Sequence, residues 1–163
     1  MYINKNSKLI YILFGVVALI ALLLGIALQH DREPHFHLET LDGQTFSAQN
    51  LKGKWVFINY WASWCTPCLK EIPELNEFAK NNQDNNILVF GVNAENASSA
   101  QVRRLVDKLS IQFPVLNANP APYYNIGQVY ELPVTYIISP KGILYSRLVG
   151  PQTQQSLAAE IKN

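Results

Sequence analysis

Trp55-Val56-Phe57-Ile58-Asn59-Tyr60-Trp61-Ala62-Ser63-Trp64-Cys65-Thr66-Pro67-Cys68 is the stretch whose reading decides the fold. Val56 to Trp61 is a short, nearly continuous apolar run, the pattern of a strand buried on both faces. The segment that follows holds the two cysteines of the chain, Cys65 and Cys68. Three readings of the pair compete. A structural disulfide across two residues is strained and closes too small a loop to stabilise much. A structural zinc site needs four ligands, and one CxxC supplies two; His30, His35 and His37 could complete it only by a coincidence of folding. A redox pair accounts for the position between a strand and a helix start. At a helix N-terminus the unpaired N–H groups and the macrodipole favour a Cys65 thiolate. Cys68, one turn on, can then displace whatever Cys65 has captured.

Downstream of the pair, Leu69, Ile72, Leu75 and Phe78 form one stripe, which predicts a helix over 65–80 with a kink at Pro73. Ile87 to Asn93 reads as a second buried strand, and Asn81 to Asn86 as a solvated loop between the two. Ser98 or Ser99 caps a helix carrying Val102, Leu105, Val106 and Leu109. A short strand near 113–116 and a short helix near 123–130 follow. Val134 to Ser139 and Ile143 to Val149 make a hairpin across Pro140-Lys141-Gly142, and Thr153 caps a last helix. Upstream, Asp42-Gly43 between two apolar runs signals a two-residue hairpin. The order is hairpin, then β-α-β-α, then β-β-α: an α/β domain with a central mixed sheet flanked by helices.

Leu9 to Leu28 is a run of twenty residues without a charge. As a helix it covers roughly 30 Å, the hydrocarbon thickness of a bilayer. A cleaved signal peptide is the alternative, but its apolar region is usually shorter, and Ala27-Leu28-Gln29-His30 makes a poor cleavage site. The expectation is a tail and transmembrane anchor in 1–30, with the bilayer met by 9–28, and one domain in 31–163. Lys5 and Lys8 before the span put the N-terminus in the cytoplasm and the domain outside. The whole chain has 13 Lys plus Arg and 12 Asp plus Glu. With Lys5 and Lys8 set aside the domain is nearly neutral, so nucleic acid is excluded as a partner on electrostatic grounds.

With these residues in view, the segment Trp55 to Cys68 resembles the active-site segment of the thioredoxin superfamily. The likeness is greatest to the membrane-tethered branch of TlpA, ResA and the cytochrome c maturation protein CcmG/DsbE, and it runs from about Phe36 to the C-terminus. It implies a thioredoxin-like fold with an N-terminal hairpin and, at 99–110, the helix insertion typical of the branch. Glu131-Leu132-Pro133-Val134-Thr135-Tyr136 resembles the loop that carries a cis-proline facing the CxxC. By that likeness Leu132 and Pro133 present backbone to an extended substrate peptide, although Val134 stands where Thr or Glu is commoner. Asn59 occupies the place of the buried Asp of thioredoxins. The branch often has Asn there and uses an acid elsewhere near the pair; Glu95 is the nearest candidate, offset by about one residue, and a solvated loop glutamate is the other reading. Trp64 covers a docked peptide or packs over the active-site loop, and Thr66 and Pro67 tune the thiolate.

The implied activity is thiol–disulfide exchange at Cys65 and Cys68 without metal or prosthetic group. The implied direction is reduction of a client protein disulfide outside the cytoplasm, with apocytochrome c a possible client and a membrane electron donor of DsbD or CcdA type. A periplasmic oxidant or isomerase, and a tethered peptide-binding module with incidental thiols, are the alternatives.

Overall fold

The computed structural model describes the backbone of residues 5–30, 36–82 and 86–161; in the first stretch side chains are described from 10 to 25. The chain divides into two units, 1–34 and 35–163. The first contains helix α1, Lys5–His30. Its side chains from Ile10 through Leu24 are exposed. Among the described residues no helix is long and apolar enough to cross a membrane. The described side chains 10–25 fall within the predicted span 9–28. The rest of the predicted span 9–28 lies outside the described side chains, as residues 83–85 of the predicted 81–86 loop lie outside the described backbone.

The second unit is a thioredoxin-like α/β fold. Strands β3 (Trp55–Trp61), β4 (Ile87–Asn93), β5 (Val134–Ile138) and β6 (Leu144–Val149) form a mixed sheet in the order β4-β3-β5-β6. β4 runs parallel to β3, which requires a crossover, and helix α3 (Thr66–Asn81) supplies it. β5 and β6 are antiparallel neighbours on the other side. β3 therefore sits between two strands and between two layers, which explains its unbroken apolar sequence. Phe57 and Trp61 pack with Ile72, Leu75 and Phe78 of α3 and Leu157 of α5 (Gln154–Ala159). Val56, Ile58 and Tyr60 point the other way, toward Leu38, Leu51 and Tyr124. The inserted helix α4 (Ser99–Leu109) adds Val102 to the first layer. Gly91 on β4 leaves room for its neighbours: a Cβ there would lie 3.0 Å from Phe113 and 3.1 Å from Trp61.

Three sequence expectations are corrected. The first strands, β1 (His37–Glu39) and β2 (Thr45–Ser47), pair Glu39 with Thr45, so the connection is Thr40–Gln44 and not a two-residue Asp42-Gly43 turn. The Thr40 N–H donates to the Gln44 carbonyl and the Thr40 carbonyl accepts from the Gly43 N–H, while Asp42 accepts hydrogen bonds from the Thr40 hydroxyl and the Gln44 amide. Residues 113–116 make isolated bridges to Gly91 and Thr40 and form no strand. Ala121–Tyr124 is a single 3₁₀ turn, ended by Asn125 at φ +53°, where a helix over 123–130 was expected. A four-residue helix α2, Ala48–Leu51, capped by Ser47, was not anticipated.

Leu75 has no exposed surface, so Leu75→Ala is expected to destabilise the domain by about 2–5 kcal/mol. Lys70→Ala on the solvent side of the same helix should change it by less than about 0.5 kcal/mol. Urea midpoints of the two variants check this.

Candidate active site

β3 ends at Trp61 inside the sheet, and the chain leaves through buried Ala62. The Cys65 N–H donates to the Ala62 carbonyl at 3.2 Å, closing a turn that delivers Cys65 to the N-cap of α3. There its extended backbone (φ −87°, ψ 93°) lets Sγ accept from the Cys68 N–H at 3.3 Å. The Leu69 N–H donates to the Cys65 carbonyl, starting the helical ladder. Thr66 and Pro67 fill the first helical positions, where the missing proline N–H leaves nothing unsatisfied. Cys65 and Cys68 are joined by a disulfide. Cys65 keeps 5% of its surface exposed and Cys68 none, so an incoming sulfur meets Cys65. Trp64, next to it, is 70% exposed.

The Leu132–Pro133 bond is cis. β5 starts one residue later with Val134 opposite Tyr60, which places Pro133 at the same end of the sheet as the disulfide. Its carbonyl accepts from the Gly150 N–H at 2.9 Å, and Leu132 packs against the cluster that contains both cysteines.

Behind the pair lies a buried polar network that the sequence reading missed. Glu71, three residues after Cys68, is 2% exposed. One of its carboxylate oxygens accepts from the Asn59 amide at 2.8 Å, the other from the Gln152 backbone N–H at 2.8 Å. The same Asn59 amide donates to the Thr135 hydroxyl at 3.0 Å. Asn59 thus links the helix carrying the cysteines to the strand that follows the cis-proline. Burial raises the Glu71 carboxyl to about 6, although the bonds from Gln152 and Asn59 pull the other way. One signal was available: Glu71 stands four residues before Leu75 and seven before Phe78, on the apolar side of the helix.

Glu95 has a different environment. Its carboxylate accepts from the Ser63 N–H and hydroxyl, each at 2.9 Å, and from the Asn93 amide at 2.9 Å. Burial favours its neutral form, but the bonds from Asn93 and Ser63 outweigh it and hold the pKa below the ordinary carboxylate value. The structure ties Glu95 to the active-site loop and does not bring it into the Asn59–Glu71 network. Among the described residues no group of three or more His, Cys, Asp and Glu side chains could hold a metal ion.

A CxxC disulfide capping the helix after a central strand, with a cis-proline at the same sheet end, defines a protein thiol–disulfide oxidoreductase of thioredoxin-like fold. The chain belongs to the AhpC/TSA family, whose sequence model matches residues 30–147. It is similar to the thioredoxin-like protein YneN of Bacillus subtilis (strain 168), 36% identical over 136 residues, covering 78% of this chain and 75% of that protein. It is 30% identical over 129 residues to the thiol-disulfide oxidoreductase ResA of Bacillus anthracis, covering 79% and 74%. Among solved structures, the pneumococcal exposed lipoprotein thioredoxin of Streptococcus pneumoniae strain TIGR4 superposes with a TM-score of 0.68 at 27% identity, covering 79% of this chain and 98% of that one. A thiol:disulfide interchange protein of Chlorobium tepidum TLS gives 0.67 at 27%, covering 79% and 92%.

A carboxyl whose pKa is higher folded than unfolded binds more protons in the folded state, so stability falls as pH rises through that interval. For Glu71 the interval runs from 4.5 to about 6, and the loss amounts to about 2 kcal/mol. The fall in unfolding free energy between pH 3.5 and pH 7, from denaturant titrations, should therefore be smaller by about that amount in Glu71→Gln than in the parent protein.

Proposed function

We propose that this chain is a reductase of protein disulfides, held in the cytoplasmic membrane by one helix through 9–28, with its N-terminus inside and its catalytic domain outside. The observation that carries the chemistry is the Cys65–Cys68 pair at the start of α3 with Glu71 buried one turn beyond. In the reduced protein the Cys65 thiolate attacks a client disulfide. A mixed disulfide forms, and the first client sulfur leaves as a thiolate that takes up a proton. Glu71 accepts the Cys68 proton, and the Cys68 thiolate attacks Cys65 Sγ. The second client sulfur leaves and is protonated in turn, and the Cys65–Cys68 disulfide closes. Two electrons pass from the dithiol to the client; a membrane donor of DsbD or CcdA type returns them together with two protons. Trp64, Leu132 and Pro133 hold the client chain across Cys65. Thr66 and Pro67, with no charge between the cysteines, leave the thiolate to the helix terminus.

Reduction is favoured over oxidation by the charges around the pair. A strong oxidant owes its potential to a stabilised reduced form. Here two carboxylates, Glu71 on the same helix and Glu95 on the loop after β4 that is bonded to Ser63, offset part of the stabilisation that the helix start gives the Cys65 thiolate, so the reduced form is held less firmly than in a strong oxidant. The anchor is supported by the uncharged run Leu9–Leu28 and by Lys5 and Lys8 ahead of it. The compartment outside is oxidising, so a dedicated donor is required. The client is an exported protein with a disulfide to be opened, apocytochrome c being one that fits.

Expressed in cells as the full chain, Cys68→Ser should accumulate a mixed disulfide between Cys65 and the client, and Cys65→Ser should form none. The parent protein should sediment with alkaline-washed membranes and carry mostly reduced cysteines. Equal trapping by both variants would overturn the exchange mechanism, a soluble parent protein the anchor, and mostly oxidised cysteines the direction.

A further inference from the structure

At the end of the sheet where β3 and β4 finish lies a groove of about 450 Å³, bordered by Tyr60, Asn93, Glu95, Asn119, Gln128 and Tyr130. Each of its two walls adjoins a loop that the exchange reaction uses. One wall is Asn93 to Asn96, joined to the active-site loop by the bonds from Ser63 to Glu95. The other is Gln128 to Tyr130, the segment that leads into Leu132 and cis-Pro133. Tyr60 forms the floor, its hydroxyl donating to Asn119 at 2.7 Å. Tyr130 stands 83% exposed on the rim, its hydroxyl bonded to Gln128.

The lining is chemically selective. Four of the ten lining residues, Asn93, Asn96, Asn119 and Gln128, are carboxamides, and the oxygens of Asn93, Asn119 and Gln128 accept hydrogen bonds from within the protein. Glu95 supplies the charge. Three hydrogen-bond donors keep it ionised, and among the described residues no Lys or Arg forms an ion pair with it. The other carboxylate close by in sequence, Glu131, is paired with Arg147 at 2.6 Å.

We infer that this groove reads the client segment flanking the cystine, and that Glu95 makes it select a segment bearing a Lys or Arg side chain. The inference rests on the oxidoreductase reading and names the substrate class for the same site. It gives Glu95 a role in specificity, with Glu71 left to the proton.

The test compares two peptides, each closed by one cystine and differing only in Lys or Glu beside the attacked cysteine, with the reduced full chain as enzyme. kcat/KM should favour the Lys peptide by about two- to five-fold at low salt, the worth of one partly solvated ion pair, and the preference should shrink as salt is added. In Glu95→Gln the two peptides should be reduced at similar kcat/KM, chiefly through a higher KM for the Lys peptide. Ser63→Ala, which removes a loop bond and keeps the charge, should retain the preference. Equal use of both peptides by the parent protein overturns the inference, as does a preference that survives Glu95→Gln or is lost equally in Ser63→Ala. Failure of the parent protein to reduce either peptide, or a small neutral disulfide, counts instead against the oxidoreductase reading.

Discussion

The hydrogen bond from the Cys68 N–H to Cys65 Sγ is the contact on which the functional reading depends. It exists because Cys65 is the N-cap of α3, and it is the N-cap because β3 ends so abruptly. A strand buried on both faces cannot stop inside the sheet without a partner for its last polar groups. The Trp61 carbonyl takes the Ala94 N–H, and the Ala62 carbonyl takes the Cys65 N–H. The chain is thus turned into a helix within a few residues of the sheet end. The unpaired N–H groups of that helix start are what a sulfur anion needs.

The second constraint is the placement of the acid. On β3 the side chains facing α3 are Phe57, Asn59 and Trp61. An acid at 59 would stand against Glu71, and two carboxylates at hydrogen-bond distance cannot both ionise. The amide resolves this by donating to Glu71 and to Thr135 at once. The buried carboxyl consequently sits on the helix that bears the cysteines. Its second oxygen is held by Gln152, two residues beyond the Gly150 that bonds Pro133. A buried carboxylate without such donors would be costly by several kcal/mol; here both oxygens are met. The acid, the cis-proline and the cysteine helix form one connected structure.

Much of this was legible in the residues. The apolar run at 56–61 and the WCxxC after it placed the strand, the helix and the redox pair, because burial on two faces and a helix terminus both leave local signatures. The hairpin was misread because Asp42-Gly43 describes a turn in isolation, whereas the Glu39 carbonyl and the Leu41 N–H are taken by Asn117 and Val115, far along the chain. The 3₁₀ turn at 121–124 ends at Asn125, a left-handed position that apolar spacing does not reveal. Glu71 was overlooked because a glutamate on a helix normally faces water. Its burial depends on Asn59 and Gln152, and a pairing of residues so distant in sequence has no local signature.

The central claim is that Cys65 is the sulfur that ionises and reacts. Alkylation of the reduced protein, followed residue by residue against pH, tests it most directly. The account predicts that Cys65 is modified first and at a lower pH than a free thiol, with Cys68 protected behind it. Modification of Cys68 ahead of Cys65, or a Cys65 no more reactive than a free thiol, would contradict it.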